Sequence, residues 1–209
     1  MLTGWTDSSR VSSSVGAKAS WMPMRCACWF ALWLGVWLAP HAEALQPTPH
    51  IEETVTAQIA FTPGDDVARI IVEALRAARS QILVQAFSFT HRDIARALID
   101  AHGRGVDVQV IADAEQTDLI ENTVVPELDA AGVPVYLDEQ HVAAHNKVTV
   151  IDEGHPWAAV ITGSYNFTFA AQFRNAENLL VLRGGPHIAR AYADNWQRHR
   201  SHSRPYSRP

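Results

Sequence analysis

From residue 54 to residue 198, short β-branched runs alternate with stretches whose apolar residues recur every three or four positions. That alternation restricts the chain to a layered α/β fold more than any other feature does. Residues 54–61 alternate well enough for a strand, and Pro63-Gly64-Asp65-Asp66 supplies turn and cap chemistry. Val67, Ile70, Ile71, Ala74 and Leu75 then share one face of a helix expected over 67–78. Residues 81–87 read as a central strand. Thr90 is placed to cap a helix over 91–102 with Ile94, Leu98 and Ile99 facing inward, and Gly103-Arg104-Gly105 ends it. A strand over 106–112 follows, then a helix over 119–131 kinked near Pro126, then a short strand over 133–137. Beyond residue 152 come a return strand over 158–162, a short helix from Asn166, and a strand over 178–182. A last helix over 186–198 stacks Ile188, Tyr192 and Trp196 four apart, with Pro186 in its first turn. The expected architecture is an α/β/α sandwich around a mixed central sheet. No internal repeat is visible.

The amino-terminal part has a different character. A continuous apolar run over 26–39 follows Arg25, and Ala42-Glu43-Ala44 places small residues where a signal peptidase cuts. The run falls short of the ~20 apolar residues of a comfortable membrane span. Residues 1–44 are therefore expected to be a disordered lead and a cleaved secretory signal peptide, which implies a secreted or periplasmic protein. The alternative is an uncleaved amino-terminal anchor. Residues 45–53 read as a linker, 54–198 as a single catalytic domain, and 199–209 as a basic disordered tail.

Cys26 and Cys28 both precede the cut, so the remaining chain would carry no disulfide, thiolate ligand or cysteine nucleophile. The cut also removes Arg10, Lys18, Arg25, Asp7 and Glu43, leaving 14 basic against 20 acidic residues. A net charge of -6 argues against a wide electrostatic grip on nucleic acid; any polyanion must be held by a local cluster.

The chemistry concentrates in His145-Asn146-Lys147-Val148-Thr149-Val150-Ile151-Asp152. The β-formers here favour a short buried strand, on which His145 and Lys147 point one way and Asp152 the other. An imidazole that attacks or shuttles a proton, with an ammonium two residues along, suits an anion held between them. After residue 44, Lys147 is the only lysine in the sequence; every other Lys-or-Arg position is arginine. A compact point charge is thus kept where an arginine fork would not serve.

Gly163-Ser164-Tyr165-Asn166 and Arg174-Asn175-Ala176-Glu177 complete a constellation that resembles the phospholipase D superfamily signature, His-x-Lys-x4-Asp followed by Gly-Ser-x-Asn and a downstream Glu. The resemblance is closest to the small secreted bacterial endonucleases of that superfamily, which carry one motif per chain. It extends upstream to Ala86-Phe87-Ser88-Phe89-Thr90 and Phe61-Thr62-Pro63-Gly64, while the hairpin around Glu153-Gly154-His155-Pro156-Trp157 is longer than that pattern. What the resemblance implies is a metal-independent phosphodiesterase working through a phosphohistidine. In that reading His145 is the nucleophile, Lys147 and Asn166 hold the non-bridging oxygens, Ser164 adds a hydroxyl donor, and Glu177 accepts the second imidazole N–H. Asp152 takes a structural hydrogen-bonding role.

The superfamily pairs two motifs, so a single copy implies a homodimer sharing one site. No cofactor and no metal are expected. The substrate reading is nucleic acid, with phospholipid head groups as the alternative. His141 and His145 stand four apart, as zinc ligands on a helix do, but they fall in loop and strand. Arg104 and Arg174 are further candidates for contacting phosphate.

Overall fold

A computed structural model describes residues 48–207, and the expected signal peptide lies outside them. The elements run β1 (Thr56–Thr62), α1 (Val67–Ala77), β2 (Gln81–Ala86), α2 (Arg92–Gly103), β3 (Asp107–Asp113), α3 (Ala114–Leu119), α4 (Val125–Ala130), β4 (Val135–Asp138), β5 (Lys147–Ile151), β6 (Ala159–Gly163), α5 (Phe169–Phe173), β7 (Glu177–Arg183), α6 (Pro186–His202) and β8 (Arg204–Pro205). The eight strands form one sheet in the order β1-β7-β6-β5-β2-β3-β4-β8. β2, β3 and β4 are parallel, whereas β5 lies antiparallel against β2 and begins an antiparallel run through β6, β7 and β1. The sheet is mixed, as the alternation of elements suggested. Among the described residues no helix is long and apolar enough to cross a membrane.

Strand parity divides the core between the two faces of the sheet. Ile82, Val84, Val108, Val110 and Ile151 pack with Ile71 and Leu75 of α1, Ile94 and Leu98 of α2, and Leu128 of α4. Leu83, Ile111, Val148, Val150 and Val160 pack with Ala189, Ala193 and Trp196 of α6. Trp196 is 1% exposed, and its indole donates to the Val84 carbonyl at 2.8 Å, satisfying the one polar atom it takes into the core.

Three expectations are corrected. The helix expected over 119–131 is two short helices: Asp113 caps α3 by accepting from the Gln116 amide, and α4 begins only after a turn through 120–124. Pro126 sits in the first turn of α4, where a missing N–H costs nothing, and so starts a helix instead of kinking one. The tail expected to be disordered from residue 199 is ordered through the described residues. α6 continues to His202, Arg204 and Pro205 pair with Leu137 and Tyr136, and the Tyr206 amide donates to the Val135 carbonyl at 2.8 Å. At the other end, Glu53 of the expected linker accepts from the His187 and Ile188 amides, capping α6.

Asp152 leaves β5 with φ 53°, a left-handed turn that ends the alternation and directs its carboxylate at the loop joining α1 to β2. There it accepts from the amides of Arg79, Ser80 and Gln81, the Ser80 hydroxyl and the Trp157 indole, at 2.7–3.1 Å. Burial alone would push this carboxyl up, but the hydrogen bonds outweigh it and hold it below the ordinary range. Its stabilising contribution is therefore present above the ordinary carboxylate pKa and lost as pH falls through the lower folded value. Asp152→Ala is expected to cost about 3–5 kcal/mol in urea unfolding, because several buried donors lose one acceptor. Asp152→Asn should cost less and keep turnover; a cost below about 1 kcal/mol for Asp152→Ala would reject this structural assignment.

Candidate active site

The site lies where the parallel and antiparallel halves of the sheet meet. In register, Lys147 at the start of β5 faces Ala86 at the end of β2, which faces Ala112 near the end of β3. The candidate residues stand at these strand ends and in the segments that adjoin them.

His145 precedes β5, and its ring packs on Phe87 with centroids 4.4 Å apart. Lys147 Nζ donates to the His145 carbonyl at 2.6 Å and lies 4.7 Å from the Phe87 ring centre. Phe87, which the notion of a catalytic set passes over, thus sets the positions of both. Lys147 is only 7% exposed. Burial lowers its pKa to about 8, and the carboxylates of Glu177 and Asp113 oppose that shift by favouring the charged form. A lysine so tuned is a common mark of a functional site.

Ser164 and Asn166 come from the segment after β6. Gly163 is required there, since a Cβ would stand 2.2 Å from the Asn178 carbonyl oxygen, far inside contact distance. That close approach brings the Ser164 hydroxyl to Glu177 Oε2, to which it donates at 2.5 Å, while it accepts from the Asn178 amide at 3.1 Å. Tyr165 between them is buried and its hydroxyl donates to Gln172, anchoring the segment. The chain then joins Phe89 through an isolated bridge to Phe167, with the Thr90 amide donating to the Phe167 carbonyl. Asn166 Oδ1 is buried without a partner among the described residues.

Glu177 opens β7. Its oxygens accept from Ser164 Oγ and from Asn175 Nδ2, the latter at 2.9 Å. The hydrogen bond expected from the His145 ring to Glu177 is not formed among the described residues. The Ser164 proton expected to serve substrate is likewise engaged by Glu177, so here the hydroxyl orients that carboxylate. Asn175 and Asn178 were not singled out from sequence, although they flank Glu177 on either side. Arg104 is no phosphate ligand in this arrangement: its guanidinium donates to the Leu75 and Arg76 carbonyls at the end of α1. Arg174 lies over Phe169, 5.6 Å from the ring centre. His141 pairs with Asp138, not with His145.

An imidazole, a buried ammonium, an amide and a carboxylate, gathered from three strand ends around a mixed sheet, define a phosphodiesterase of the phospholipase D superfamily. Residues 71–200 match the family model described as cardiolipin synthase, PLD-like domain, and the chain belongs to that family. It is 35% identical over 158 residues to a phospholipase D of Rickettsia bellii, covering 72% of this chain and 75% of the relative. It is 33% identical over 161 residues to a mitochondrial cardiolipin hydrolase of Xenopus tropicalis, covering 77% and 68%. The crystal structure of Nuc, a phospholipase D family member from Salmonella typhimurium, superposes with a TM-score of 0.69 at 29% identity, covering 74% of this chain and 100% of that one.

Proposed function

We propose that the chain hydrolyses phosphodiester bonds of nucleic acid through a phosphohistidine, with two copies sharing one site. A ring nitrogen of His145 attacks phosphorus as the P–O bond to the leaving group breaks. The leaving alkoxide takes a proton from His145 of the partner subunit. Water then attacks the phosphohistidine, returns a proton to that second imidazole, and frees the first. Lys147 and Asn166 hold the non-bridging oxygens, and Glu177, fixed by Ser164 and Asn175, keeps Lys147 charged.

The observation that carries this reading is that His145 and Lys147 at the start of β5, Asn166 just after β6 and Glu177 at the start of β7 stand at the same end of three neighbouring strands, with Glu177 favouring the charge of Lys147. The single motif in a short chain, which resembles the endonuclease branch of the superfamily, favours nucleic acid over a head group. A cavity of about 500 Å³ does exist, but it is lined by Asp66, Arg69 and Arg76 from α1 and its cap and by His91, Arg96 and Phe173, not by His145. Sharing between two copies is supported by the single motif and by the exposed rings of Phe61, Phe169 and Phe173, each 57–60% exposed, on elements that end beside Glu177 and Asn166.

A phospholipid substrate is the second reading. It is favoured by the relatives named phospholipase D and cardiolipin hydrolase, and the same phenylalanines would then meet lipid.

Plasmid DNA, RNA and vesicles of phosphatidylcholine or cardiolipin, offered side by side to the purified protein, separate the two. Nicking and fragmentation of DNA or RNA with intact lipid is the expected result, and head-group release with intact nucleic acid would replace the first reading by the second. Secretion, expected from the amino-terminal run, is tested by fractionating cells that express the full chain.

A further inference from the structure

At the outer side of the parallel half of the sheet, four side chains from three elements meet around one buried carboxylate. Asp138 ends β4 with its side chain fully enclosed. His141 follows in the loop, and His199 and His202 stand three apart on the last turn of α6. His199 Nδ1 lies 2.9 Å from Asp138 Oδ2, His202 Nε2 3.3 Å from the same oxygen, and His141 Nδ1 3.2 Å from both oxygens. The ring centres are 5.0–5.3 Å apart, and the four donor atoms lie within 4.8 Å of one another.

We propose that Asp138, His141, His199 and His202 form a structural site for a divalent transition ion, zinc above others. Four protein ligands in a tetrahedron about 2.0–2.1 Å from a common ion stand ~3.3 Å apart, close to the 2.9–3.3 Å between the ring nitrogens and Asp138, and ring rotations bring donor atoms already within 4.8 Å of one another onto one ion. The donor set, three imidazoles and a carboxylate, suits zinc and excludes the oxygen-seeking magnesium and calcium. Hydrogen bonding alone accounts for the cluster less well. Asp138 Oδ2 is approached by three ring nitrogens, one more than its in-plane lone pairs, while one ion satisfies all three rings at once. Oδ1 keeps the Gln140 amide, at 3.2 Å, as the outer hydrogen bond that orients a ligating carboxylate.

With four protein ligands the site is closed and offers no position for substrate water. Its place gives it a mechanical role. It ties α6 to β4 beside the short β4–β8 pairing and clamps the loop that reaches His145 four residues after His141. The expectation that the chain holds no metal is revised by this reading. Sequence spacing pairs His141 with His145, whereas the structure sets it with Asp138 three residues back and with His199 and His202 about sixty residues further along.

The test uses the protein made without a polyhistidine tag, stripped by chelator and titrated with zinc chloride, with bound metal measured by atomic absorption and unfolding by calorimetry. One zinc per chain and a rise in Tm of about 5–10 °C at saturating zinc are expected. Both should be lost in His199→Ala and His202→Gln and kept in His155→Gln. Less than about 0.1 zinc per chain with an unmoved Tm, or full binding in both cluster variants, would overturn the site. Should those variants fail to fold, wild type loaded with cobalt decides: intense visible absorption of a tetrahedral ion supports the site, and the weak spectrum of an octahedral one overturns it. These readouts do not depend on activity, so the proposed phosphodiesterase chemistry can fail without touching them.

Discussion

Mixing wild-type chains with an equal amount of His145→Ala chains, under conditions that allow subunits to exchange, is expected to lower activity per wild-type subunit to about half. Random pairing places half of the wild-type chains opposite a chain that has no imidazole to protonate the leaving group. A ninefold excess of the variant should lower the value to about a tenth. His145→Ala alone should lose at least ~10⁴-fold in kcat with its unfolding transition unmoved, because the ring packs on Phe87 at the rim of the sheet and supports no core layer. Two further measurements bear on the same step. Vanadate or tungstate, which mimic pentacovalent phosphorus, should inhibit, and excess chelator at 25 °C should leave turnover within about threefold, since the proposed nucleophile is an imidazole and the proposed charge on phosphate an ammonium. Unchanged activity per wild-type subunit at every mixing ratio would reject the shared site, and full activity in saturating vanadate and tungstate would reject the phosphohistidine route.

Lys147→Met is expected to remove at least ~10³-fold of activity and, separately, to change how stability responds to pH. In the folded chain Lys147 titrates at about 8, against an ordinary lysine value of 10.5. Between those values the unfolded chain binds the extra proton, so wild-type stability rises with pH across that window. Below pH 8 the cost of holding the buried charge is present in full. Comparing the two chains by urea unfolding from pH 7 to pH 10, the difference should move in favour of wild type by about 2–3 kcal/mol. Activity moves the other way: kcat/KM should fall as pH rises through about 8, where the ammonium proposed to bind the phosphoryl oxygens is lost. A bound phosphodiester stabilises the charge, so the corresponding limb of kcat should lie higher. A pH-independent stability difference would show that the lysine carries no burial cost. A variant that keeps wild-type kcat would remove Lys147 from the reaction.

The stability window and the activity limb share one cause. Lys147 enters β5 opposite Ala86, in a row of the sheet where side chains are enclosed, and the carboxylates of Glu177 and Asp113 compensate its charge. Ser164 and Asn175, by fixing Glu177, act on the lysine through that carboxylate. Glu177→Gln is therefore expected to move the kcat/KM limb below that of wild type, since it removes a group that favours the ammonium.

Much of this was legible along the chain. The two-residue period of 147–151 and the three-to-four period of α1, α2 and α6 fixed which residues enter the core, since those periods follow from backbone geometry alone. The catalytic types were legible as well, because His145 and Lys147 are neighbours in sequence and because the lone lysine of the region after residue 44 stood out. Boundaries were less so: α6 runs four residues past Arg198, since its last turn is held by β8 and by contacts to β4 that local propensity does not contain.

What only the tertiary structure decided are the meetings of residues distant in the chain. The left-handed Asp152 finds amides more than seventy positions away, Ser164 spends its hydroxyl on Glu177, and Asp138 is approached by His199 and His202 across more than sixty positions. Periodicity carries information over a turn or a strand. Which strand ends share a crevice depends on sheet order and register, which are set by how the two faces of the sheet are buried together.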